Sequence, residues 1–385
     1  MAEVVLCMNA GSSSLKFSLY RMGPDTEELL GNGSIEHIGL EGGRVSMKAG
    51  GKTVSRQQDF VDFTSAVQAA FRLLEEAGLP RPEAVGHRVV HGGAGLIRPA
   101  KVDEKLLAEL GELSPFAPLH LPQEIEGMEA VKSRFPELPQ VACFDTAFHR
   151  SMPELAQRYP LPRRLWDEGL RRYGFHGISY EYIMGVLGES PPSRVIIAHL
   201  GNGASMAAVK DGRPVDTTMG FSPTGGLMMG TRTGDIDPGV VLYLLGEKGY
   251  GYQELEHTVN REAGLLGVSG ISRNMKVLLE KRRHEPAAAQ AVEMFCYYLK
   301  KHIGALAAAL EGLDLLVFTA GIGEKAAPVR EIVCRGLRHL GIRLDPESNN
   351  RHADTITTPE SPCAVRVIPT NEDLVIARRT YAMLG

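Results

Sequence analysis

Val4-Val5-Leu6-Cys7-Met8-Asn9-Ala10-Gly11-Ser12-Ser13-Ser14-Leu15-Lys16-Phe17-Ser18-Leu19-Tyr20 reads as a strand, a turn of small residues and a second strand. Half a chain later the pattern returns. Val195-Ile196-Ile197-Ala198-His199-Leu200 leads into Gly201-Asn202-Gly203-Ala204-Ser205, then Met206-Ala207-Ala208-Val209-Lys210 and a turn at Asp211-Gly212. Two such hairpins so far apart predict a duplicated domain, each copy presenting a turn of small residues. The separation is wrong for a solenoid repeat. Two similar domains facing each other across a cleft would bring both turns to one ligand.

Working outward, strand-like and helix-like segments alternate, which predicts an α/β architecture. Phe63, Ala66, Val67, Ala70, Phe71 and Leu74 step by three and four and then meet Gly78 and Pro80, the pattern of an amphipathic helix with its stop signals. Val292, Phe295, Leu299, Ile303, Leu306 and Leu310 mark another, ended by Gly312. Leu315-Leu316-Val317-Phe318 follows as a buried strand that opens into Thr319-Ala320-Gly321-Ile322-Gly323. Asp237-Pro238 suits the N-cap and first position of a further helix.

The 385 residues suffice for two domains of ordinary size. Hydrophobic residues at 43% and charged residues at 23% give a globular balance. A net charge of −4 argues against non-specific nucleic-acid binding, which needs a basic excess. Met1-Ala2-Glu3-Val4-Val5 has no basic start, so no signal peptide is read there, and no apolar run approaches the length of a membrane span. The five cysteines are odd in number and widely spaced, as expected of reduced thiols in a cytoplasmic protein. No HExxH or Cys/His cluster points to zinc.

Several segments carry residue types suited to anions. Asn9 to Lys16 combines small residues, whose amides and hydroxyls close around phosphate oxygens, with a cation, although the GxxxxGK(S/T) spacing is absent and an ordinary hairpin turn reads equally well. Gly201-Asn202-Gly203 and Ala320-Gly321-Ile322-Gly323-Glu324 each follow a buried strand, and the second opens toward a helix. In Gly86-His87-Arg88-Val89-Val90-His91-Gly92-Gly93, an arginine within an apolar run usually marks a surface or edge position. Its alternative is a fork that grips a carboxylate or phosphate at two points. Thr218 to Asp237 is a long Gly- and Thr-rich loop around Arg232, of a length that is commonly functional. Gln140 to Phe144 is an apolar strand that ends on Asp145, and a carboxylate at such a strand end is where ligands bind, though aspartate is also common in turns. His176 lies between an aromatic residue and a glycine, a setting more often structural than catalytic.

Taken in order, MNAGSSSLKFSLY, HRVVHGG, FDTAFH, YGFHGISY, HLGNGAS, MGFSPTGGLMMGTRTGDIDPG, FTAGIGE and PTNEDLVIA resemble the acetate kinase family from Met8 to near the C-terminus. The resemblance implies the acetate-and-sugar-kinase, actin and heat-shock-chaperone fold: two duplicated actin-like, ribonuclease H-like α/β domains with an ATP cleft between them. The boundaries expected are 1–145 with about 373–385, and 146–372. It further implies Mg²⁺-dependent, reversible phosphoryl transfer between ATP/ADP and acetate/acetyl phosphate, with Mn²⁺ as an alternative ion, by a cytoplasmic homodimer without nucleic-acid or membrane partners.

Position by position, Asn9 and Glu372 resemble the family's magnesium site, and Ser12 and Lys16 its ATP-phosphate contacts. Arg88 is similar to its acetate-binding arginine; Val90, Leu119, Phe175 and Pro223 fall where it lines a methyl pocket. His176 and Arg232 resemble the groups that stabilise the transferring phosphoryl, and Asp145 its catalytic acid. His199, Leu200, Gly201, Asn202 and Gly203, then Asn274, Met275 and Lys276, then Gly321, Ile322, Gly323, Glu324 and Lys325 fall on its nucleotide segments. Asn274-Met275-Lys276 departs from the acidic residue and arginine common there, so the expectation is loose base selectivity, with Met275 covering a base face. A propionate kinase of the same family, or a nucleotide-binding switch of the actin and chaperone kind, are the rival readings.

Overall fold

The computed structural model describes residues 3–11, 13–118 and 120–385. The chain separates into two compact units, one running to Phe148 and including Asn371–Gly385, the other comprising His149–Thr370.

The first unit holds strands β1 (Glu3–Ala10), β2 (Ser14–Gly23), β3 (Thr26–Glu36), β4 (Arg44–Ala49), β5 (Lys52–Gln57), β6 (Ala84–Val89), β7 (Ala100–Lys101) and β8 (Gln140–Phe144). They form one sheet of order β5-β4-β3-β2-β1-β6-β8-β7. β1 and β2 pair antiparallel as the quoted hairpin, with Asn9 opposite Lys16. β1, β6 and β8 run parallel to one another. A parallel core strand is covered on both faces and reads as an unbroken apolar run, which is why Val4 to Met8 shows no alternation. Leu6 and Met8 pack with Phe63, Val67 and Val131 in one core cluster. From β1 Cys7, the Sγ donates to the Asp373 carbonyl at the head of helix Glu372–Ala382.

The second unit holds β9 (Arg194–Leu200), β10 (Ala204–Lys210), β11 (Arg213–Thr217), β12 (Leu315–Thr319) and β13 (Ala364–Val367), in the order β11-β10-β9-β12-β13. β9 and β10 are antiparallel, while β9, β12 and β13 are parallel. Reading β3-β2-β1-β6-β8 of the first sheet beside it gives the same order, third-second-first-fourth-fifth, with the same directions. The sequence echo is therefore a duplication of topology.

The expected helices form where their stripes and caps predict. Helix Phe63–Glu76 starts on Asp62, whose side chain accepts from the Ser65 N–H, and buries Phe63, Ala66, Val67, Ala70 and Leu74. Phe71, at its margin, stacks on Phe135 at 4.0 Å between ring centroids. Helix Pro286–Ala309 buries Val292, Phe295, Leu299, Ile303 and Leu306. Helix Pro238–Gly246 starts on Asp237 as expected, yet buries none of its residues.

One glycine fixes how the last helix meets the first sheet. A Cβ on Gly86, in the middle of β6, would overlap Thr380 Oγ1 and Ile376 Cγ2 of helix Glu372–Ala382. Gly86→Ala is therefore expected to destabilise the protein by about 1–3 kcal/mol, the usual cost of overpacking. Urea unfolding of both proteins at one pH measures it, and an unchanged midpoint would show that the helix can shift freely.

Candidate active site

In the first unit the expected residues converge on Arg88. β6 lies between β1 and β8, so the edge position that an arginine in a strand suggested is not where it sits. Its side chain is only 18% exposed, while that of Asp145, next after β8, is fully buried. The Arg88 Nε donates to both Asp145 carboxylate oxygens at 3.2 and 3.1 Å, and Nη2 donates to Oδ2 at 2.5 Å. Nη1 donates to Asn9 Oδ1 at 3.3 Å, and Glu372 Oε2 stands 3.9 Å from Nε. Burial works against the guanidinium charge, but Asp145 and Glu372 outweigh it and hold the group above its ordinary range. Asp145 thus occupies the Nε/Nη2 side of the fork, while Nη1 reaches Asn9.

Behind Arg88 the chain is clamped by buried side chains. Glu124 Oε2 accepts from the Val90 N–H at 3.0 Å, and Thr146 Oγ1 accepts from the Gly92 N–H at 3.0 Å. The Gly93 N–H donates to His91 Nδ1 at 2.9 Å. Glu124 escapes sequence reasoning because it lies in an ordinary amphipathic helix, Leu121–Arg134, with nothing to signal its burial. Burial pushes its carboxyl up to about 8, against the Val90 hydrogen bond and the Arg88 charge, so at neutral pH it is a neutral acid.

Oxygen donors suit a hard cation. Asn9 and Glu372 supply an amide oxygen and a carboxylate beside Asp145, and among the described residues no group of three or more His, Cys, Asp or Glu forms a ready cage. Mg²⁺ is a cation of that kind, and it keeps most of its waters while taking one or two carboxylates plus substrate phosphates. Lys16 is exposed on β2 across from Asn9. Ser12 and Leu119 lie outside the described residues.

In the second unit, His176 caps helix Gly177–Leu187 with φ +56°, left-handed backbone that a histidine rarely adopts. Such strain concentrates at functional positions, where the surroundings hold it in place. Its Nδ1 is 2.8 Å from Ser205 Oγ, and the same hydroxyl meets the Tyr180 hydroxyl. The ring stacks on His199 at 4.1 Å and 14°. Gly203 lies beside both groups: a Cβ there would stand in ordinary contact, 3.4 Å from His176 Nε2 and 3.5 Å from Arg232 Nη1. Arg232 Nη1 donates to the Pro223 carbonyl at 3.2 Å, and the Gly230 N–H donates to the Asn202 carbonyl at 3.0 Å, seating the Arg232 loop on the Gly201–Gly203 turn. Phe175, buried beside His176, accepts a bond from His149 at its carbonyl.

Leu200 is buried at the end of β9, and Thr319 of β12 pairs with His199. The turn after β9 and the helix Ala320–Lys325 therefore rise from the carboxyl ends of neighbouring parallel strands, the edge at which α/β sheets bind ligands. Asn274 caps helix Met275–Lys281 through the Lys276 N–H. Met275 is 3% exposed, which corrects the expectation that its thioether covers a base face. A side chain packed in the core has no face left for a nucleotide. Ser205, Tyr180 and Thr146 lie inside the quoted motifs without a role of their own, because a neutral hydroxyl carries no charge signal in the sequence.

The repeated five-strand order defines the class: a duplicated actin-like, ribonuclease H-like ATPase fold, as in the solved kinases it matches. The model of the Acetokinase family matches residues 4–378, and the chain belongs to that family. An acetate kinase of Rhodopseudomonas palustris is 45% identical over 397 aligned residues, covering 100% of this chain and 99% of the relative. The crystal structure of Porphyromonas gingivalis acetate kinase superposes with a TM-score of 0.90 at 37% identity, covering 100% of both chains. That of a propionate kinase from Francisella tularensis gives 0.93 at 35%, covering 99% of both.

Glu124 offers a test of the buried network by pH. Its folded value of about 8 lies above the ordinary 4.5, so the folded state keeps a proton that the unfolded chain has released. Its contribution to stability is complete below about pH 4.5 and lost as pH rises through about 8. His87 and His149, lowered by burial to about 4, act oppositely: their stability is present above 6.5 and lost as pH falls toward 4. Glu124→Gln keeps an acceptor for Val90 and leaves both histidines, so the variant should gain on the wild type between about pH 5 and pH 8. Parallel urea-unfolding curves for the two proteins across that range would mean that Glu124 ionises alike folded and unfolded.

Proposed function

We propose that this chain is an acetate kinase, moving the γ-phosphoryl group of ATP to the carboxylate of acetate to give acetyl phosphate and ADP, reversibly. The full-length likeness to curated acetate kinases carries the reading, and the Arg88 fork gives it a chemical basis. Acetate is already an anion at neutral pH, since carboxylic acids titrate near pH 4, so no base is needed to make the nucleophile. The difficulty is bringing it to an anionic phosphate, and positive charge must be supplied where the equatorial oxygens gather.

In this reading Arg88 binds the acetate carboxylate through the edge that Asp145 leaves, and Asp145 fixes the plane of the guanidinium rather than shuttling a proton. Val90, Leu119, Phe175 and Pro223 are the residues that the resemblance to the family assigns to the acetate methyl group. His176, oriented through Ser205, and Arg232, seated on the Gly203 turn, stabilise the phosphoryl group in flight. Ser12, Lys16, His199–Gly203, Asn274, Lys276 and Gly321–Lys325 would hold the nucleotide, without the buried Met275 side chain. Asn9 and Glu372 would hold Mg²⁺, with Mn²⁺ a substitute. The metal would supply charge neutralisation on the phosphates.

A cytoplasmic location is supported by five free, buried cysteines. A homodimer is supported by helix Pro238–Gly246, which exposes Val240, Leu242, Tyr243 and Leu245. Self-association would bury that apolar face; sedimentation as a monomer at assay concentrations would count against it.

Hydroxylamine trapping of the acyl phosphate tests the activity across a panel of carboxylates. ATP turnover should require acetate, with propionate poorer by a factor no larger than about 10–200 for one methylene. Equal turnover without carboxylate would favour an ATPase switch, and propionate used better than acetate would make it a propionate kinase. In the same assay Arg232→Ala should lower kcat by about 100- to 1000-fold, the scale of losing a transition-state donor. Arg88→Ala should instead mainly raise the acetate KM. If Arg232→Ala altered only KM, the two arginines would have exchanged roles.

A further inference from the structure

Arg330 lies in helix Ala327–Arg335 and is fully buried. A buried guanidinium normally faces a carboxylate, because an unpaired charge is costly away from water. Here none of the acceptors is one. Nε donates to Asn349 Oδ1 at 2.8 Å. Nη1 donates to the Gly323 carbonyl at 2.7 Å and the Glu324 carbonyl at 2.9 Å. Nη2 donates to the Asn349 carbonyl at 2.8 Å and to His352 Nδ1 at 2.9 Å. Arginine has five N–H groups and all five are spent. Because it can only donate, His352 Nδ1 must be an unprotonated acceptor.

Two of those bonds fall on the last turn of helix Ala320–Lys325, whose carbonyls have no partner within the helix. A cation at a helix C-terminus also complements its dipole. The other end of the same helix starts on Ala320 at φ +62°, a left-handed alanine that costs about 1–2 kcal/mol. A segment strained at its start stays in one orientation only if its far end is held. Glu324 adds a side tie, its Oε1 accepting from the Thr370 N–H at 3.3 Å. Burial lowers the Arg330 pKa to about 10, so the group remains charged at neutral pH.

We propose that Arg330 is the positioning residue of the nucleotide site: by fixing the carbonyl end of helix Ala320–Lys325, it sets the angle at which Gly321 and Ile322 meet the nucleotide. The inference rests on the reading above that Gly321–Lys325 holds ATP. A lysine keeps the charge but is a point donor on a flexible stem and cannot serve acceptors spread around a planar fork. Holding the segment is therefore a task for the fork and not for charge alone.

The test compares wild type, Arg330→Lys and Arg330→Met by calorimetric ADP titration and by the separate KM values for ATP and acetate. Both variants should weaken ADP binding and raise the ATP KM by about tenfold or more, since small misplacements of a binding group are costly. The acetate KM should stay within about twofold, because Arg330 touches nothing that holds the carboxylate. A purely structural role would lower the melting temperature and the active fraction while leaving both KM values alone. Such a result, or an acetate KM that rose as much as that for ATP, would overturn the proposal. Should neither variant fold, His352→Ala removes one acceptor at an exposed position; a rise of about two- to fivefold in the ADP Kd is then expected, and no change overturns the proposal. A wild type that binds no ADP would refute the nucleotide reading of the segment and this inference with it. A wild type that binds while the variants bind equally well would refute this inference alone.

Discussion

The positive charge of Arg88 on an interior strand is the constraint around which the first unit is arranged. Removing a guanidinium from water costs several kcal/mol unless a carboxylate compensates in good geometry. Asp145 provides that from the neighbouring parallel strand, placed by the register that sets Arg88 beside Cys143. Glu372 adds a weaker attraction from the start of the last helix, which Gly86 allows to lie close on the sheet. The pairing does more than neutralise. It consumes the Nε/Nη2 side of the fork and so fixes the plane of the guanidinium. Burial raises the carboxyl of Glu124, which feels both charges, well above its ordinary range.

The second unit repeats the strand frame and solves a different problem. There His176 meets the Ser205 hydroxyl, Arg232 donates to the Pro223 carbonyl, and Arg330 donates to carbonyls, an amide oxygen and an imidazole. Two of the left-handed non-glycine residues stand at helix starts there, His176 before helix Gly177–Leu187 and Ala320 at the head of helix Ala320–Lys325.

Much of this frame was legible in the chain. The two hairpins, the stripe of helix Pro286–Ala309 and the Asp237 cap all depend on neighbours within a few residues, where side-chain periodicity and capping act directly. The motif residues were legible too, because their glycine-rich surroundings are set by local backbone demands. Burial was not legible where it depended on distant segments. Met275 looked like an available thioether and is packed in the core, and Arg88 looked like an edge residue and lies inside the sheet.

The sequence by itself determined the duplicated α/β plan, the turns that end its strands and the residue types offered to an anion, since each follows from local pattern. Only the tertiary structure decided which of those residues have their charges matched. That Asp145 takes one side of Arg88, that Glu124 is buried against Val90, and that Arg330 meets Asn349 all depend on contacts between residues 19 to 57 apart in the chain. Desolvation and Coulomb interaction are functions of distance in space, and the chain order does not contain them.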